Sequence, residues 1–140
     1  MLPSKSKLFK NESRNKDHRG EIKSIVDTKI SNVSIITCNA NSIRSNHYHK
    51  KDFHFMYVLK GTINYFFSDL EMKDIKFMKI KPGDTIFTPK MEIHATHFPV
   101  DTTLIVSSGF PRDQKTYEAD TVRVDFLNET NLEILMNKYG

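Results

Sequence analysis

Four of the six histidines in the sequence stand at spacings that allow their side chains to meet. His47 and His49 lie two residues apart, so on a β-strand both imidazoles point to the same face. His54 opens the next apolar run, and His94 stands near the start of a later one. Imidazole nitrogens are common ligands of transition metals. The spacing therefore predicts one site that binds a divalent transition metal (Zn, Fe, Ni or Mn) through His47, His49, His54 and His94.

The segments that must position these histidines look like strands. Short runs of β-branched and aromatic residues alternate with turn residues, a pattern typical of an all-β sandwich or barrel. Strands are predicted at residues 22–27, 33–38, 42–49, 53–59, 62–67, 75–80, 85–88, 94–98 and 102–107. Residues 53–59 are apolar on both faces, so one face is expected to line the interior and the other to contact a second sheet or a partner subunit. We therefore predict a homodimer.

The two ends of the chain differ in character. Residues 1–20 are rich in Lys, Asn, Ser and Asp and are predicted to form a solvated N-terminal arm, with a single domain over residues 21–140. Leu132, Leu135, Met136 and Tyr139 recur with the period of a helix, which predicts a short C-terminal helix packed on the strands. The polar segment 111–124 is predicted to form a lid or an edge strand.

Composition excludes several classes of protein. The 21 Lys and Arg residues are spread along the chain among 17 Asp and Glu residues, which argues against a nucleic-acid partner despite a net charge of +4. The sequence lacks an apolar run of membrane-spanning length and an apolar secretory leader, so we expect a cytoplasmic protein without a membrane partner. The single cysteine, Cys38, lies in an apolar run and is expected to be buried.

The histidine spacing resembles the two motifs of the cupin family. In residues 41–61 the first motif (Gly, five residues, His-x-His, three or four residues, Glu, six residues, Gly) is matched by Asn41, His47, His49, His54 and Gly61. In residues 83–98 the second motif (Gly, five residues, Pro-x-Gly, two residues, His, three residues, Asn) is matched by Gly83, Pro89 and His94. The resemblance implies a single cupin jelly-roll β-barrel.

The chain departs from these motifs at several places. Asn41, Met91 and Phe98 replace a Gly, a Gly and an Asn. His54 replaces the usual Glu ligand, and four neutral imidazoles would leave the charge of a divalent metal uncompensated. Such a site is expected to favour an anionic ligand or a bound hydroxide.

A second resemblance is to the RmlC-like sugar-nucleotide cupins. It is carried by Asp17-His18-Arg19-Gly20 and by the segment Arg44-Ser-Asn-His-Tyr-His-Lys-Lys51. That group contains 3,4-ketoisomerases and 3,5-epimerases of nucleotide-linked 4-keto-6-deoxy sugars, which generally work without metal and use a histidine as base. The resemblance implies an isomerase or epimerase with an anionic sugar-type substrate, such as a nucleotide-linked sugar.

The chemistry that this implies is removal of a proton next to a carbonyl. His47 or His49 is the predicted base, and Tyr57 or Tyr65 is predicted to return a proton. A metal at the four histidines could polarise the carbonyl. Arg44, Lys50 and Lys51 are predicted to face the substrate's diphosphate.

Two alternative functions stay open from the sequence. Fe(II) held by histidines has open positions for dioxygen and substrate, as in a cupin dioxygenase. The second alternative is a barrel that binds a small ligand without performing chemistry.

Overall fold

A computed structural model describes residues 2–140 of the chain. Within these residues the chain is mostly strand, with two short helices near its C-terminal end. The strands and helices are β1 (Lys7–Lys10), β2 (Ser13–Asp17), β3 (Gly20–Lys23), β4 (Asn32–Cys38), β5 (Ser42–His49), β6 (His54–Lys60), β7 (Ile63–Ser68), β8 (Lys76–Ile80), β9 (Asp84–Thr88), β10 (Ile93–Phe98), β11 (Thr102–Ser108), α1 (Gln114–Asp120), β12 (Thr121–Arg123) and α2 (Leu132–Tyr139).

Two five-stranded antiparallel sheets pack against each other. The first sheet has the order β1-β9-β6-β11-β4 and the second has the order β12-β5-β10-β7-β8, while β2 and β3 form a separate hairpin. Apolar side chains from both sheets meet between them and form the main core: Cys38, Met56, Val58, Ile63, Tyr65, Phe67, Ile80, Ile86, Phe98, Leu104 and Val106. Such burial of apolar surface supplies the main driving force for folding.

A smaller apolar cluster covers the outer face of the second sheet. Phe66, Ile93 and Ala95 lie there against Phe126 and Leu127 of the C-terminal segment. Side chains of α2 complete the cluster, namely Leu132, Leu135, Met136 and Tyr139. These are the four residues whose helical spacing predicted a C-terminal helix, and α2 confirms that prediction.

The structure corrects the predicted closed barrel. The strands hydrogen-bond within two separate sheets, each of which has two edge strands, so the fold is a two-sheet sandwich. Strand alternation could not distinguish these arrangements, because a strand that buries one face does so equally in a barrel and in a sandwich.

The predicted solvated arm is also corrected in part. Residues 7–10 form β1, which pairs with β9, and Leu8 packs against the main core. Residues 13–23 form the exposed β2–β3 hairpin, so the strand predicted at 22–27 is replaced by β3. The low average apolarity of residues 1–20 concealed the short Leu8-Phe9 pair, which is enough to anchor one edge strand.

The segment 111–124 contains both α1 and β12. β12 is the edge strand of the second sheet and pairs with β5 at His49, Tyr48 and His47, which confirms the predicted edge strand. Cys38 is buried in the main core, as expected. Among residues 2–140, no helix combines the length and the apolarity needed to cross a lipid bilayer.

Candidate active site

The four clustered histidines lie at one end of the space between the sheets. His47 and His49 end β5, and His94 is near the start of β10, its neighbour in the second sheet. His54 opens β6 in the first sheet. All four side chains are buried. The fold therefore brings together the histidines whose spacing singled them out.

A β-bulge in β5 sets the direction of these side chains. His47 faces His94 across the β5–β10 pair, but the next residue of β10, Ala95, faces Ser45, so one residue of β5 is extra. Ser45 and Asn46 both have left-handed backbone conformations, with φ of 73° and 58°. Left-handed φ is uncommon outside glycine, and bulges of this kind re-aim side chains near functional sites.

The bulge is held by the C-terminal segment. The side chain of Asn46 accepts the backbone N–H of Leu127 at 2.7 Å and donates to its carbonyl at 2.8 Å. Without the extra residue, Ile43, His47 and His49 would share one strand face. Instead Ile43 packs in the outer cluster under α2, whereas His47 and His49 point into the interior.

Three imidazoles form a tight group. The ring centroid of His47 lies 4.6 Å from that of His49 and 4.8 Å from that of His94. Each residue offers one ring nitrogen, and these three atoms lie within 4.8 Å of one another. Within residues 2–140, Nε2 of His49 and Nε2 of His94 are buried and have no hydrogen-bond partner. Buried polar atoms are nearly always paired in folded proteins, so these two nitrogens are candidates for contact with a ligand.

Two neighbours set the tautomer of His49. Its Nδ1 lies 3.5 Å from Oδ2 of Asp120 and 3.3 Å from Oγ1 of Thr121. The Thr121 hydroxyl donates its proton to the carbonyl of Tyr117 at 2.6 Å, so toward His49 it can act only as an acceptor. Nδ1 of His49 therefore carries the proton, and Nε2 presents its lone pair to the cluster.

Asp120 is itself held in place by the backbone. Its Oδ1 accepts the N–H of Lys51 at 2.8 Å, and its Oδ2 accepts the N–H of Asp52 at 3.1 Å. A carboxylate fixed in this way orients the imidazole of His49 and would stabilise the cation formed when Nε2 takes up a proton. The geometry suits a general base.

His94 has the same tautomer for a different reason. Its Nδ1 lies 3.2 Å from the carbonyl of Glu92, which can only accept, so Nε2 again has a free lone pair. The Tyr65 ring stacks on the His94 ring at a centroid distance of 6.4 Å. The hydroxyl of Tyr65 lies 2.8 Å from Oγ1 of Thr88 and 2.6 Å from Oγ of Ser6.

Burial keeps these histidines neutral. Loss of hydration, with a smaller contribution from the nearby Arg112 charge, lowers the pKa of His47 to about 2, of His49 to about 4 and of His94 to about 3. The pKa of His54 is also lowered well below its usual value, mainly by burial and then by His94 and Arg112. At neutral pH the cluster therefore offers lone pairs rather than positive charge.

His54 makes a different contact from the other three histidines. Nη2 of Arg112 donates to Nδ1 of His54 at 3.3 Å, so Nδ1 is an acceptor and the proton lies on Nε2. The guanidinium also lies 3.8 Å from the carboxylate of Asp52 and 5.2 Å from the ring centre of Tyr117. Arg112 thus brings a positive charge to the edge of the cluster.

The residues fit a three-imidazole metal site better than the predicted four-imidazole site. His47, His49 and His94 bring their ring nitrogens together, and the unpartnered Nε2 atoms of His49 and His94 suit a transition metal. The lone pair of His54 Nδ1 is instead engaged by Arg112. The fourth predicted ligand therefore lies beside the group.

A cavity of about 680 Å³ lies near the cluster, although none of the four histidines lines it. Tyr117 and Asp120 line it and also approach His49, with the Tyr117 ring centroid 5.5 Å from that of His49. Lys50 and Lys51, predicted to bind substrate, line the same cavity together with Lys115. Three lysines against the two acidic residues Asp52 and Asp120 give this opening an excess of basic groups, which favours an anionic ligand.

The remaining predicted residues are placed differently. Tyr65 stacks on His94, but Tyr57 alternates with the core residues Met56 and Val58 and so lies on the opposite face of β6. Arg44 stands near the other end of β5, where it donates to the carbonyl of Thr37 at 3.3 Å. Tyr57 and Arg44 are therefore not brought to the histidine cluster.

Sequence reasoning gave no catalytic role to Arg112, Tyr117 or Asp120, which lie beside the cluster. All three are in the segment 111–124, for which the sequence predicts a lid or an edge strand. The local sequence carries no motif for them, because their contacts with the histidines depend on how α1 and β12 fold back onto β5.

Comparison with known proteins identifies relatives at the level of family and fold. A protein-family model described as Cupin matches residues 19–140. A search of the curated proteins found no match. Among solved structures, the chain is similar to a mutant of the 3,4-ketoisomerase QdtA from Thermoanaerobacterium thermosaccharolyticum in complex with TDP-4-keto-6-deoxyglucose, with a TM-score of 0.69, 18% identity, and coverage of 87% of this chain and 89% of that one.

Two further structures have the same fold. The TDP-quinovose 3,4-ketoisomerase WlaRB from Campylobacter jejuni has a TM-score of 0.71 and 19% identity, with 86% of this chain and 94% of that one covered. The dTDP-4-dehydrorhamnose 3,5-epimerase from Bacillus anthracis, with TDP and PPi bound, has a TM-score of 0.69 and 16% identity, with 89% and 81% covered.

Proposed function

This chain belongs to the cupin family, and we propose that it is an isomerase or epimerase of a nucleotide-linked keto sugar. The observation that carries the proposal is the state of His49. Its Nδ1 is held by Asp120 and Thr121, while its buried Nε2 has no partner within residues 2–140. A neutral imidazole oriented by a carboxylate is suited to remove a proton from carbon next to a carbonyl.

The proposed reaction begins with transfer of that proton to Nε2 of His49. The electron pair of the broken C–H bond forms a C=C bond, and the carbonyl π pair moves onto oxygen to give an enediolate. Asp120 stabilises the imidazolium of His49. Return of a proton to the former carbonyl carbon shifts the ketone when the hydroxyl proton of the first carbon moves to the former carbonyl oxygen. Return of a proton to the opposite face of the first carbon inverts its configuration. Tyr65 and Tyr117 are the tyrosines near the cluster that could return it.

The cavity supports an anionic sugar substrate. Lys50, Lys51 and Lys115 line it together with Tyr117, whose ring centroid is 5.5 Å from that of His49. In the proposed complex the diphosphate lies on the lysines and the attached sugar is directed toward Tyr117 and His49. The neighbours that bind TDP or a TDP sugar support a substrate of this class.

We also propose that His47, His49 and His94 can bind a divalent transition metal (Zn, Fe, Ni or Mn). When bound, such a metal would polarise a substrate carbonyl as a Lewis acid. Elemental mass spectrometry of tag-free protein tests this proposal. Near-stoichiometric metal that is lost in a His49→Ala, His94→Ala double variant would support it, and wild-type protein that refuses all four metals would contradict it.

The function is tested by wash-in of solvent deuterium. The purified protein is incubated in D₂O with TDP-4-keto-6-deoxyglucose and followed by proton NMR. Label at carbon next to the keto group, lost in His49→Asn but kept in His97→Gln, would support the proposal. His97 is a matched control because it is buried on the opposite face of β10 and contacts Asn64 at 3.0 Å. A wild-type rate no higher than that of the sugar alone would contradict the proposal.

The same preparation tests the two alternatives. Oxygen uptake by iron-loaded protein that depends on an added substrate would favour a dioxygenase. A nucleotide sugar that binds saturably and is recovered without deuterium or rearrangement would favour a non-catalytic binding protein.

We further propose a homodimer formed through the outer face of the first sheet. Val33 and Ile35 of β4 are 63% and 74% exposed, and Leu59 of β6 is 55% exposed. β4 is also an edge strand with one hydrogen-bonded neighbour. An apolar surface beside an open strand edge can face its own copy across a two-fold axis. Light scattering of wild type against Ile35→Lys tests this, with Ile134→Lys of α2, where Ile134 is 64% exposed, as control.

A further inference from the structure

Arg112 is a mostly buried cation with few partners. Its side chain is 18% exposed and lies in the loop between β11 and α1. The guanidinium has five N–H donors. Within residues 2–140, one of them makes a hydrogen bond, to Nδ1 of His54. Nε of Arg112 is buried without a hydrogen-bond partner among the same residues.

The carboxylate nearest to this guanidinium only partly balances it. Oδ2 of Asp52 is 3.8 Å from Nε of Arg112, beyond hydrogen-bond distance. The other oxygen of Asp52 accepts the backbone N–H groups of Phe53 at 2.9 Å and Phe110 at 3.2 Å. Asp52 therefore holds the loop and leaves donors of Arg112 free. A buried cation with unused donors is destabilising unless something occupies them.

The guanidinium also lies on the side of the cluster that faces Tyr117. Its centre is 5.2 Å from the Tyr117 ring, and the Tyr117 ring is 5.5 Å from the ring of His49. Its Nη2 donates to His54, whose ring centroid lies 5.8 Å from that of His49 and 5.2 Å from that of His94. Arg112 thus contacts both His54 of the cluster and Tyr117, which lines the cavity.

When His49 removes the proton, the proposed reaction creates a positive charge on the His49 imidazole and a negative charge on the oxygen of the enediolate. The first charge faces the Asp120 carboxylate. The other three imidazoles are neutral, so they offer no positive charge to the oxyanion. We propose that Arg112 is the catalytic residue that binds this oxyanion, through the donors that His54 and Asp52 leave free. The assignment rests on the proposed isomerase or epimerase activity. A preorganised donor at a developing oxyanion contributes about 10²–10³-fold to the rate.

The experiment compares three substitutions in the deuterium wash-in assay. Arg112→Gln removes the charge, Arg112→Lys keeps the charge but not the planar fork, and Arg123→Gln is the control. Arg123 lies in the same segment but is 61% exposed and paired with Glu118. We expect Arg112→Gln to lower kcat about 10²–10³-fold while KM and the affinity for TDP change little. Arg112→Lys should fall between Arg112→Gln and wild type, and Arg123→Gln should resemble wild type.

Two further measurements separate this role from a structural one. Millimolar guanidinium chloride should restore part of the activity of Arg112→Ala, because a free guanidinium can occupy the vacated place. Oxalate, a planar dianion that resembles an enediolate, should bind wild type at least about tenfold more tightly than Arg112→Gln, a difference of about 1.4 kcal/mol. Calorimetry measures the oxalate affinity, and circular dichroism checks that each variant is folded.

The outcomes distinguish failure of the residue assignment from failure of the function. If wild type and Arg112→Gln exchange deuterium at the same rate, the proposed role of Arg112 is overturned and the proposed function stands. A loss of TDP affinity in Arg112→Gln with unchanged kcat would also overturn it, since Arg112 would then bind the diphosphate. No exchange by wild type would overturn the proposed function, and the assignment of Arg112 with it.

Discussion

The space between the two sheets is filled differently at its two ends. At the end where β6 and β10 begin, the interior holds imidazoles. Within residues 2–140, Nε2 of His49 and Nε2 of His94 are buried there without hydrogen-bond partners. At the other end it is filled by apolar side chains, among them Val58, Ile63, Ile80, Phe98 and Leu104. The same strands thus supply a packed core at one end and unpaired lone pairs at the other.

This difference indicates where stability and reactivity reside. Apolar side chains gain free energy when they leave water, whereas buried polar atoms without partners lose it. The apolar end should therefore carry the stability of the fold. The imidazole end should add little or reduce it, which is expected of a site kept free for a ligand. Four substitutions or conditions test that division, from the largest expected effect to the smallest.

The largest effect is expected at His49. His49→Asn removes the proposed base, so the rate of deuterium wash-in should fall about 10²–10⁴-fold. The melting temperature should change by a few degrees at most, because Nε2 makes no hydrogen bond in the described structure. A melting temperature that collapses together with the activity would contradict the division between the two ends.

At the apolar end the opposite result is expected. Leu104 is 2% exposed in the main core, and Leu104→Ala should lower the free energy of unfolding by about 2–5 kcal/mol. Urea denaturation measures that loss. The kcat of the remaining folded protein should stay within about twofold of wild type, since the cavity forms away from the histidines. A large drop in kcat would show that the two ends are coupled.

Acidification should destabilise the protein through the imidazole end. The unfolded chain takes up protons near the usual histidine pKa of 6.5, whereas the folded protein keeps His49 neutral down to a pKa of about 4. Between these values the unfolded state binds more protons. The contribution of the neutral histidines to the free energy of unfolding is therefore complete above about pH 6.5. It decreases toward pH 4, by at most about 1.4 kcal/mol per pH unit for each histidine.

Denaturation of metal-free protein at several pH values measures this dependence. In His94→Leu the slope should be smaller, because that side chain cannot titrate and its lowered pKa of about 3 no longer contributes. An unchanged slope in this variant would mean that other groups cause the acid sensitivity.

The smallest effect is expected from Asp120→Asn. The amide keeps the shape of the carboxylate but loses the charge that stabilises protonated His49, whose Nδ1 lies 3.5 Å away. Loss of one charge-assisted interaction of about 1.5 kcal/mol should lower kcat roughly tenfold. The pH profile of kcat, measured alongside, should shift to lower pH, because a base without its anionic partner has a lower pKa. Equal profiles would argue against Asp120 as the orienting group.

Asp120 raises the pKa of His49, so without the carboxylate the imidazole stays unprotonated to lower pH. The acidic limb of the kcat profile of Asp120→Asn should therefore move down in pH relative to wild type.

Much of the site was predictable, because its members are close in sequence or share a motif. The two-residue spacing of His47 and His49 holds on any strand, and the distances to His54 and His94 match known motif spacings. The structure brings these four residues together. The state of each ring was not predictable, because the tautomer of His49 depends on Asp120, 71 positions further along the chain.

Other predictions were wrong for identifiable reasons. Strand alternation could not reveal whether the sheet edges join, so a closed barrel was expected where two sheets stand. The average composition of residues 1–20 is polar, so the short strand β1 within them was not predicted. Simple alternation would also have placed Ile43 on the same face as His47, because the bulge at Asn46 depends on contacts with Leu127.

The sequence by itself determined the all-β class, the C-terminal helix and the set of histidines that can meet, because these follow from local periodicity and spacing. Only the tertiary structure decided which nitrogens have free lone pairs, that Arg112 engages His54, and that lysines surround the adjacent cavity. These features depend on contacts between residues distant in the chain, where burial and hydrogen bonding set the charge and tautomer of each group.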